Sequence, residues 1–268
     1  MITLTYIITT YNRQALLERA IGYVARERCA GSELIVVDDN SYPRVTLSSQ
    51  TMEAFPEGCQ LIRNPVNLGV IGARNVGIAA AKGEYLLFLD DDDESFMNRT
   101  GDLLAAMSDT DLDFAAARAS MQLGETDKIV PAQAGFMLTP QLLLLNPPHI
   151  NAVIWRRESF RAGLDSRIPY LGEHISMLLC LLRGGRAWLS PAVVARFGYI
   201  NNGLTQIAQQ QHSMKRYLTS LYGLLLAESN APGFSQLCER VLTMLNQEEI
   251  RDFDDYLHHL QPLVERPL

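Results

Sequence analysis

Three short apolar runs in the first third of the chain, Leu4 to Ile8, Leu34 to Val37 and Tyr85 to Leu89, each end abruptly in polar residues. Runs this short and this apolar read as strands buried on both faces, the signature of a parallel sheet. The first runs into Thr9-Thr10-Tyr11-Asn12, the second into Asp38-Asp39-Asn40-Ser41, and the third into Asp90-Asp91-Asp92-Asp93. In an open α/β sheet, ligands bind at the carboxyl ends of the strands. One polar strand end is ordinary turn chemistry, whereas three at the same edge of a sheet predict a site.

Helical periods separate the runs. Leu16, Leu17, Ala20, Ile21 and Val24 share one face after Asn12, which is predicted as the N-cap. Gly72 to Ala81 is Ala-rich and is predicted to stop at Gly83 as a C-cap. The predicted order is strand, helix, strand, helix, strand. Four prolines, Pro131, Pro140, Pro147 and Pro148, surround Leu142 to Leu145 and predict a loop with a short helix lying over the site. Ala152 to Trp155 and Trp188 to Phe197 predict further strands, with a buried helix over Ile175 to Leu182 between them. From about Thr205 the pattern turns helical, with stripes through Tyr217, Leu221 and Leu225, through Leu237, Val241 and Leu245, and through Ile250, Leu257 and Leu260. Such stripes predict core packing, and they leave a homodimer through this tail open.

The third strand end carries the strongest chemistry. Four adjacent carboxylates repel one another unless a cation, or a ligand carrying one, neutralises them. Oxygen ligands at a strand end suit Mg2+ or Mn2+ better than zinc. The competing reading is an acidic, solvated loop.

At 268 residues and 47% hydrophobic, the chain can bury a substantial core. Its formal charge of -7, with no cluster of basic and aromatic residues, argues against nucleic acid as a partner. Cys29, Cys59, Cys180 and Cys238 form no CxxC pair, which fits reduced thiols and a cytoplasmic setting. The first residues read as a strand and not a leader. No apolar run is long enough to cross a bilayer, so any membrane contact is expected to be peripheral.

The ordered motifs Thr9-Thr10-Tyr11-Asn12-Arg13, Val36-Val37-Asp38-Asp39-Asn40-Ser41, Asn67-Leu68-Gly69 with Ala73-Arg74-Asn75, and Gly83-Glu84-Tyr85 leading to Asp90-Asp91-Asp92-Asp93 resemble the family 2 glycosyltransferases. Ile154-Trp155-Arg156-Arg157-Glu158 and Gly163-Leu164-Asp165 look like the family's acceptor-side segment. The resemblance implies a GT-A fold, an α/β, Rossmann-like, mostly parallel sheet flanked by helices. Residues 1–204 would form that domain, with 1–95 as its nucleotide-sugar half and 96–204 as its acceptor half. Residues 205–268 would be a C-terminal helical extension.

The activity implied is metal-dependent, inverting transfer of a sugar from a nucleotide-sugar, most often a UDP-sugar, to an acceptor hydroxyl. Thr9, Tyr11, Asp39, Asn67, Arg74, Asp90 and Asp91 would bind the donor, and Asp90 and Asp92 the Mn2+ or Mg2+. An aromatic face at Tyr11 and a carboxylate acceptor at Asp39 suit a nucleobase on chemical grounds alone. Arg74 reads equally as a ligand of the donor or as a partner of the acidic cluster.

Two positions depart from the family pattern. Gly172-Glu173-His174 has His where the family's general base is commonly Asp, so either His174 or Glu173 is expected to be the base. Arg196-Phe197-Gly198-Tyr199 has Tyr199 where many relatives carry a His, which leaves His212 as a substitute for a metal ligand from the C-terminal side. A non-catalytic sugar-nucleotide-binding protein and a nucleotidyltransferase are the alternatives, the latter disfavoured because no Gly-rich, basic phosphate loop follows the first strand.

Overall fold

A computed structural model describes residues 2–107, 111–123, 126–160, 162–167, 172–198, 211–248, 250 and 253–265. Strand β1 (Leu4–Thr10) lies between β2 (Ser32–Asp38) and β4 (Tyr85–Asp90), parallel to both. In register, Thr9 lies opposite Val37 on one side and Asp90 on the other, so the three polar strand ends share one edge of the sheet. Beyond β2 the edge strand is β3 (Cys59–Arg63). Its partly exposed residues lack the continuous apolar run of a central strand, which is why the sequence pattern conceals it.

On the other side of β4 come β9 (Val153–Arg156), β6 (Phe114–Leu123) and β10 (Ala187–Gly198). Of the row from β3 to β10, β9 alone is reversed. Three short strands complete a ten-stranded sheet: β5 (Glu94–Ser95) and β8 (Phe136–Met137) on β10, and β7 (Thr126–Val130) on β6. The result is the mixed, mostly parallel α/β sheet expected.

Alternation along the strands sends successive side chains to opposite faces, and each face builds a core. Tyr6, Ile8, Leu34, Val36, Leu87 and Leu89 pack under α1 (Gln14–Glu27) and α4 (Arg99–Ala106). Ile7, Ile35, Val37, Leu86 and Phe88 pack under α3 (Gly69–Ala80) and α6 (Gly172–Leu182). That second cluster continues into the C-terminal helices α7 (Gln211–Glu228), α8 (Pro232–Gln247) and α9 (Phe253–Glu265), whose Leu221, Leu225, Leu237, Val241 and Leu260 are buried in it. A six-residue helix, α2 (Ser49–Ala54), lies between β2 and β3.

Several local expectations are corrected. Asn12 is not the N-cap of α1: Arg13 holds that position without a side-chain cap. Asn12 instead adopts φ 58° and accepts the Tyr42 N–H, turning the chain out of β1. Helix α3 begins at Gly69, where φ is 73°, and ends before the extended residue Ala81. Gly83 is therefore no C-cap. A Cβ there would lie 2.6 Å from the Thr5 nitrogen, so its glycine lets this segment press against β1. The short helix of the proline-rich segment, α5 (Pro140–Leu145), packs on α6 and α9.

Candidate active site

The end of β2 is a scaffold built from carboxylates. Asp38 accepts hydrogen bonds from the Ser41 N–H (2.8 Å) and from Arg63 Nη1 (2.5 Å). Burial pushes the Asp38 carboxyl up, and these bonds more than offset it, leaving it below the usual carboxylate range. Asp39 donates its N–H to the Thr10 carbonyl, and its carboxylate accepts from Asn64 Nδ2 (2.7 Å), Leu68 N (2.8 Å) and Gly69 N (2.9 Å). Asp39 thus ties the start of α3 to the ends of β1 and β2. Asn67 lies on the intervening loop and accepts the Gly69 N–H through its side chain. Tyr11, which follows β1, is 48% exposed.

The run Asp90 to Asp93 forms a tight turn, closed by a hydrogen bond from the Asp93 N–H to the Asp90 carbonyl. A turn fans its side chains out, so the four carboxylates divide among three partners, Arg74, Arg13 and Asn151. Asp90 accepts from Arg74 Nη2 at 2.5 Å. Asp91, 4% exposed, faces inward to Thr10 Oγ1 (2.6 Å) and Arg13 Nη1 (3.1 Å). Asp92 accepts from the same Arg13 Nη1 at 2.8 Å, and Asp93 accepts from Asn151 Nδ2 at 2.6 Å.

These surroundings split the acidities. Burial pushes the Asp91 carboxyl up to about 6, with Thr10 and Arg13 offsetting part of the cost. Burial also opposes the charge on Asp90, but Arg74 and then His149 outweigh it and hold the group below its usual range.

Arg74 joins the turn to the acceptor side. Only 3% exposed on α3, it spans Asp90 and Glu173 Oε1, the latter at 3.1 Å on the first turn of α6. Arg74 thus pairs with Asp90 of the acidic cluster and with Glu173 at once. Glu173 Oε2 is buried and has no hydrogen-bond partner among the described residues. His174 follows on the same helical turn, and burial keeps its imidazole below its ordinary pKa despite Glu173.

One group of potential metal ligands emerges among the described residues: Asp90, Asp93 and His149 each offer an atom, all within 4.8 Å of one another. His149 stacks on Phe197 at 4.1 Å and its Nε2 lies 3.8 Å from Asp93. Two carboxylates and an imidazole suit Mn2+ particularly, and Mg2+ less. Asp92, expected among the ligands, is occupied by Arg13 and stands outside this group.

The structure thus gathers Thr9, Asp39, Arg74, Asp90, Asp91 and Asp92 at one edge and joins Glu173 to it through Arg74, whereas the sequence gives no role to Arg13, His149 or Asn151 and none to Asp93 beyond its place in the run of four. Arg13 and Asp93 lay within the motifs read, but only their contacts give them roles. His149 and Asn151 directly follow Pro147 and Pro148, in a segment whose path no pattern fixes. Tyr199 lies outside the described residues, as does the side chain of His212. Arg156 pairs with Glu84 at 3.0 Å, and Arg157 donates to the Gly83 carbonyl, both ordinary structural contacts.

Comparison with known proteins fits this geometry. The model of glycosyl transferase family 2 matches residues 5–164. The GalNAc(5)-diNAcBac-PP-undecaprenol beta-1,3-glucosyltransferase of Campylobacter jejuni is 37% identical over 92 residues, which are 34% of this chain and 30% of that protein. The matched region spans about a third of the length of the curated relatives. Among solved structures, Staphylococcus aureus TarS in complex with UDP-GlcNAc superposes with TM-score 0.68 at 14% identity, covering 91% of this chain and 71% of that one. The Pyrobaculum calidifontis mannosyltransferase PcManGT, in complex with GDP-Man and Mn2+, gives TM-score 0.63 at 16% identity, covering 97% and 72%. These likenesses establish a shared fold. With the family model matching well over half of its residues, the chain belongs to glycosyl transferase family 2.

Proposed function

We propose that this protein transfers a sugar from a nucleotide-sugar, a UDP-sugar foremost, to the hydroxyl of a glycoconjugate acceptor, with inversion at the anomeric carbon. The observation that carries this reading is the continuous chain from Asp90 through Arg74 to Glu173, which links the acidic turn at the sheet edge to the first turn of α6. It sets a group suited to an anionic, cation-bearing ligand beside a group suited to proton abstraction. The complexes of TarS with UDP-GlcNAc and of PcManGT with GDP-Man and Mn2+ support the donor class.

Tyr11 would offer a face for the nucleobase, and Thr9, Asp39 and Asn67 would contribute polar contacts to the donor. Among the described residues Asp39 Oδ2 accepts one hydrogen bond, from Gly69 N, which leaves it able to receive a base N–H. Asp90 serves the ribose and diphosphate side of the donor, and Asp91 supports the turn from within. Asp90, Asp93 and His149 would hold Mn2+ or Mg2+, with Asp92 at the outer margin. Such an ion, when bound, supplies positive charge for the departing diphosphate.

In the reaction, the acceptor oxygen forms its bond to the anomeric carbon from the face opposite the diphosphate. The bond from that carbon to the diphosphate oxygen breaks, and its electron pair stays on the nucleoside diphosphate. Glu173, through its unpartnered Oε2, takes the acceptor proton, and Arg74 holds Glu173 in place for that task. His174, whose imidazole burial holds below its ordinary pKa, is the neighbouring candidate.

Thermal unfolding against a panel of UDP- and GDP-sugars, with and without Mn2+, tests the donor assignment. A ligand at about a hundred times its Kd adds about 2.7 kcal/mol to stability. The expected result is a rise with a UDP-sugar that needs the metal. A protein indifferent to every nucleotide-sugar, with and without Mn2+, would overturn the reading.

A further inference from the structure

Beneath the acidic turn lies a second layer of polar groups that never reaches solvent. Asn151, on the short 3-10 turn Ile150–Ala152, is 0% exposed. Its side-chain Oδ1 accepts the Asp90 N–H at 3.1 Å, and its Nδ2 donates to Asp93 Oδ2 at 2.6 Å. The orientation of this amide is forced. Reversing it would set an oxygen against a carboxylate and an NH2 against an N–H donor. One side chain thereby grips the first and last residues of the turn, from a segment 61 and 58 positions away in sequence.

Asn151 is itself held from below. Its carbonyl accepts from Arg99 Nη1 at 3.1 Å, and the same nitrogen donates to the Phe88 carbonyl at 2.8 Å, two residues before the turn. Arg99 is also 0% exposed, and its remaining donors go to the Glu27 carboxylate at the end of α1. The guanidinium thus fixes the end of β4 and the Asn151 segment in one frame. An ion pair this deep is costly to leave half-made.

We propose that Asn151, anchored by the buried Glu27–Arg99 pair, is a positioning residue that sets the direction of Asp93 relative to Asp90 and so shapes the cation and diphosphate end of the site. An amide is the group that this task demands. It supplies a donor to Asp93 and an acceptor to the Asp90 N–H without adding negative charge to a region that already holds Asp90, Asp91, Asp92, Asp93 and Glu173. Partners behind metal-ligating carboxylates commonly influence metal affinity about 10- to 100-fold when removed. The inference rests on the donor and metal reading above.

The test replaces Asn151 by Leu, which keeps the volume, and by Ala, and measures UDP binding by calorimetry with Mn2+ and with EDTA. The expected result is at least about a tenfold loss of affinity in Mn2+, with neither the native protein nor the variants binding UDP in EDTA. Leu237→Ala, a cavity variant buried in α8, serves as the control. It should lower the melting temperature and leave the Mn2+-dependent affinity as in the native protein. Folded Asn151 variants that bind UDP and Mn2+ as the native protein does would overturn the proposal, as would Leu237→Ala losing the same affinity.

A second measurement needs no variant. In amide-resolved hydrogen exchange of the native protein, the Asp90 N–H should be protected as strongly as those within β4. Exchange at the rate of a free turn amide would refute the Asn151 clamp on its own. If the native protein binds no UDP with Mn2+, the donor reading fails, while the exchange of Asp90 still decides whether the clamp exists.

Discussion

Asp91→Asn is the perturbation whose size follows most directly from the structure. Burial pushes the Asp91 carboxyl from its usual 3.8 up to about 6, even with Thr10 and Arg13 bound to it. The folded protein therefore holds this proton to higher pH than the unfolded chain does. Stability from this group is complete below about pH 4 and is lost as pH rises towards 6. At about 1.4 kcal/mol per pH unit, the ionised group costs at most about 3 kcal/mol at neutral pH. Asparagine removes the charge, keeps an acceptor for Thr10 and leaves Arg13 with Asp92. The variant should therefore be more stable than the native protein at pH 7 by about 2 kcal/mol, a rise of about 4 to 8 °C in Tm for a chain of this size. Urea denaturation in EDTA at pH 7 and at pH 4 reads the difference. The gain should vanish at pH 4, where both proteins carry a neutral group. A variant less stable than the native protein at pH 7, or a gap that persists unchanged to pH 4, would refute the reasoning.

Glu173→Gln should lower kcat by about 100-fold or more with KM for the donor preserved, and His174→Gln by less than about tenfold; steady-state kinetics on nucleoside diphosphate release separates them, and the reverse ranking would move the base to His174. Arg99→Met should cost about 3 to 5 kcal/mol by leaving Glu27 buried and unpaired. Adding Glu27→Leu should recover part of that loss in denaturant melts, since the Phe88 and Asn151 carbonyls still lack their donor. Gly83→Ala should destabilise by about 1 to 3 kcal/mol, because the new methyl would meet the backbone of Leu4 and Thr5; an unchanged midpoint would show that the segment shifts freely.

Much of the site's frame was legible because strand burial writes itself into sequence. Continuous apolar runs ending in Thr10, Asp38 and Asp90 are what a parallel sheet with a functional edge requires, and the register of β1 with its two neighbours realises it. The edge strand β3 was hidden because half-exposed residues follow no apolar run. Strand β6 was hidden for a different reason, since Ala115, Ala116 and Ala117 carry little strand preference and are held by neighbours on both sides. The direction of each carboxylate in the Asp run was not legible either. Adjacent identical residues look equivalent in sequence, and only the turn closing between Asp90 and Asp93 sends one to Arg74, two to Arg13 and one to Asn151. Arg74 illustrates the same limit: its spacing placed it near the cluster, but its bridge to Glu173 depends on how α6 packs over α3.

The claim on which the rest depends is that the ends of β1, β2 and β4 make one cation-dependent donor pocket. Hydrogen exchange with and without UDP and Mn2+ measures it segment by segment. The account predicts joint slowing in residues 9–13, 38–41, 67–74 and 90–93, absent when either UDP or Mn2+ is omitted, with α8 unchanged. Protection confined to one of these segments, or appearing in α8 instead, would contradict it.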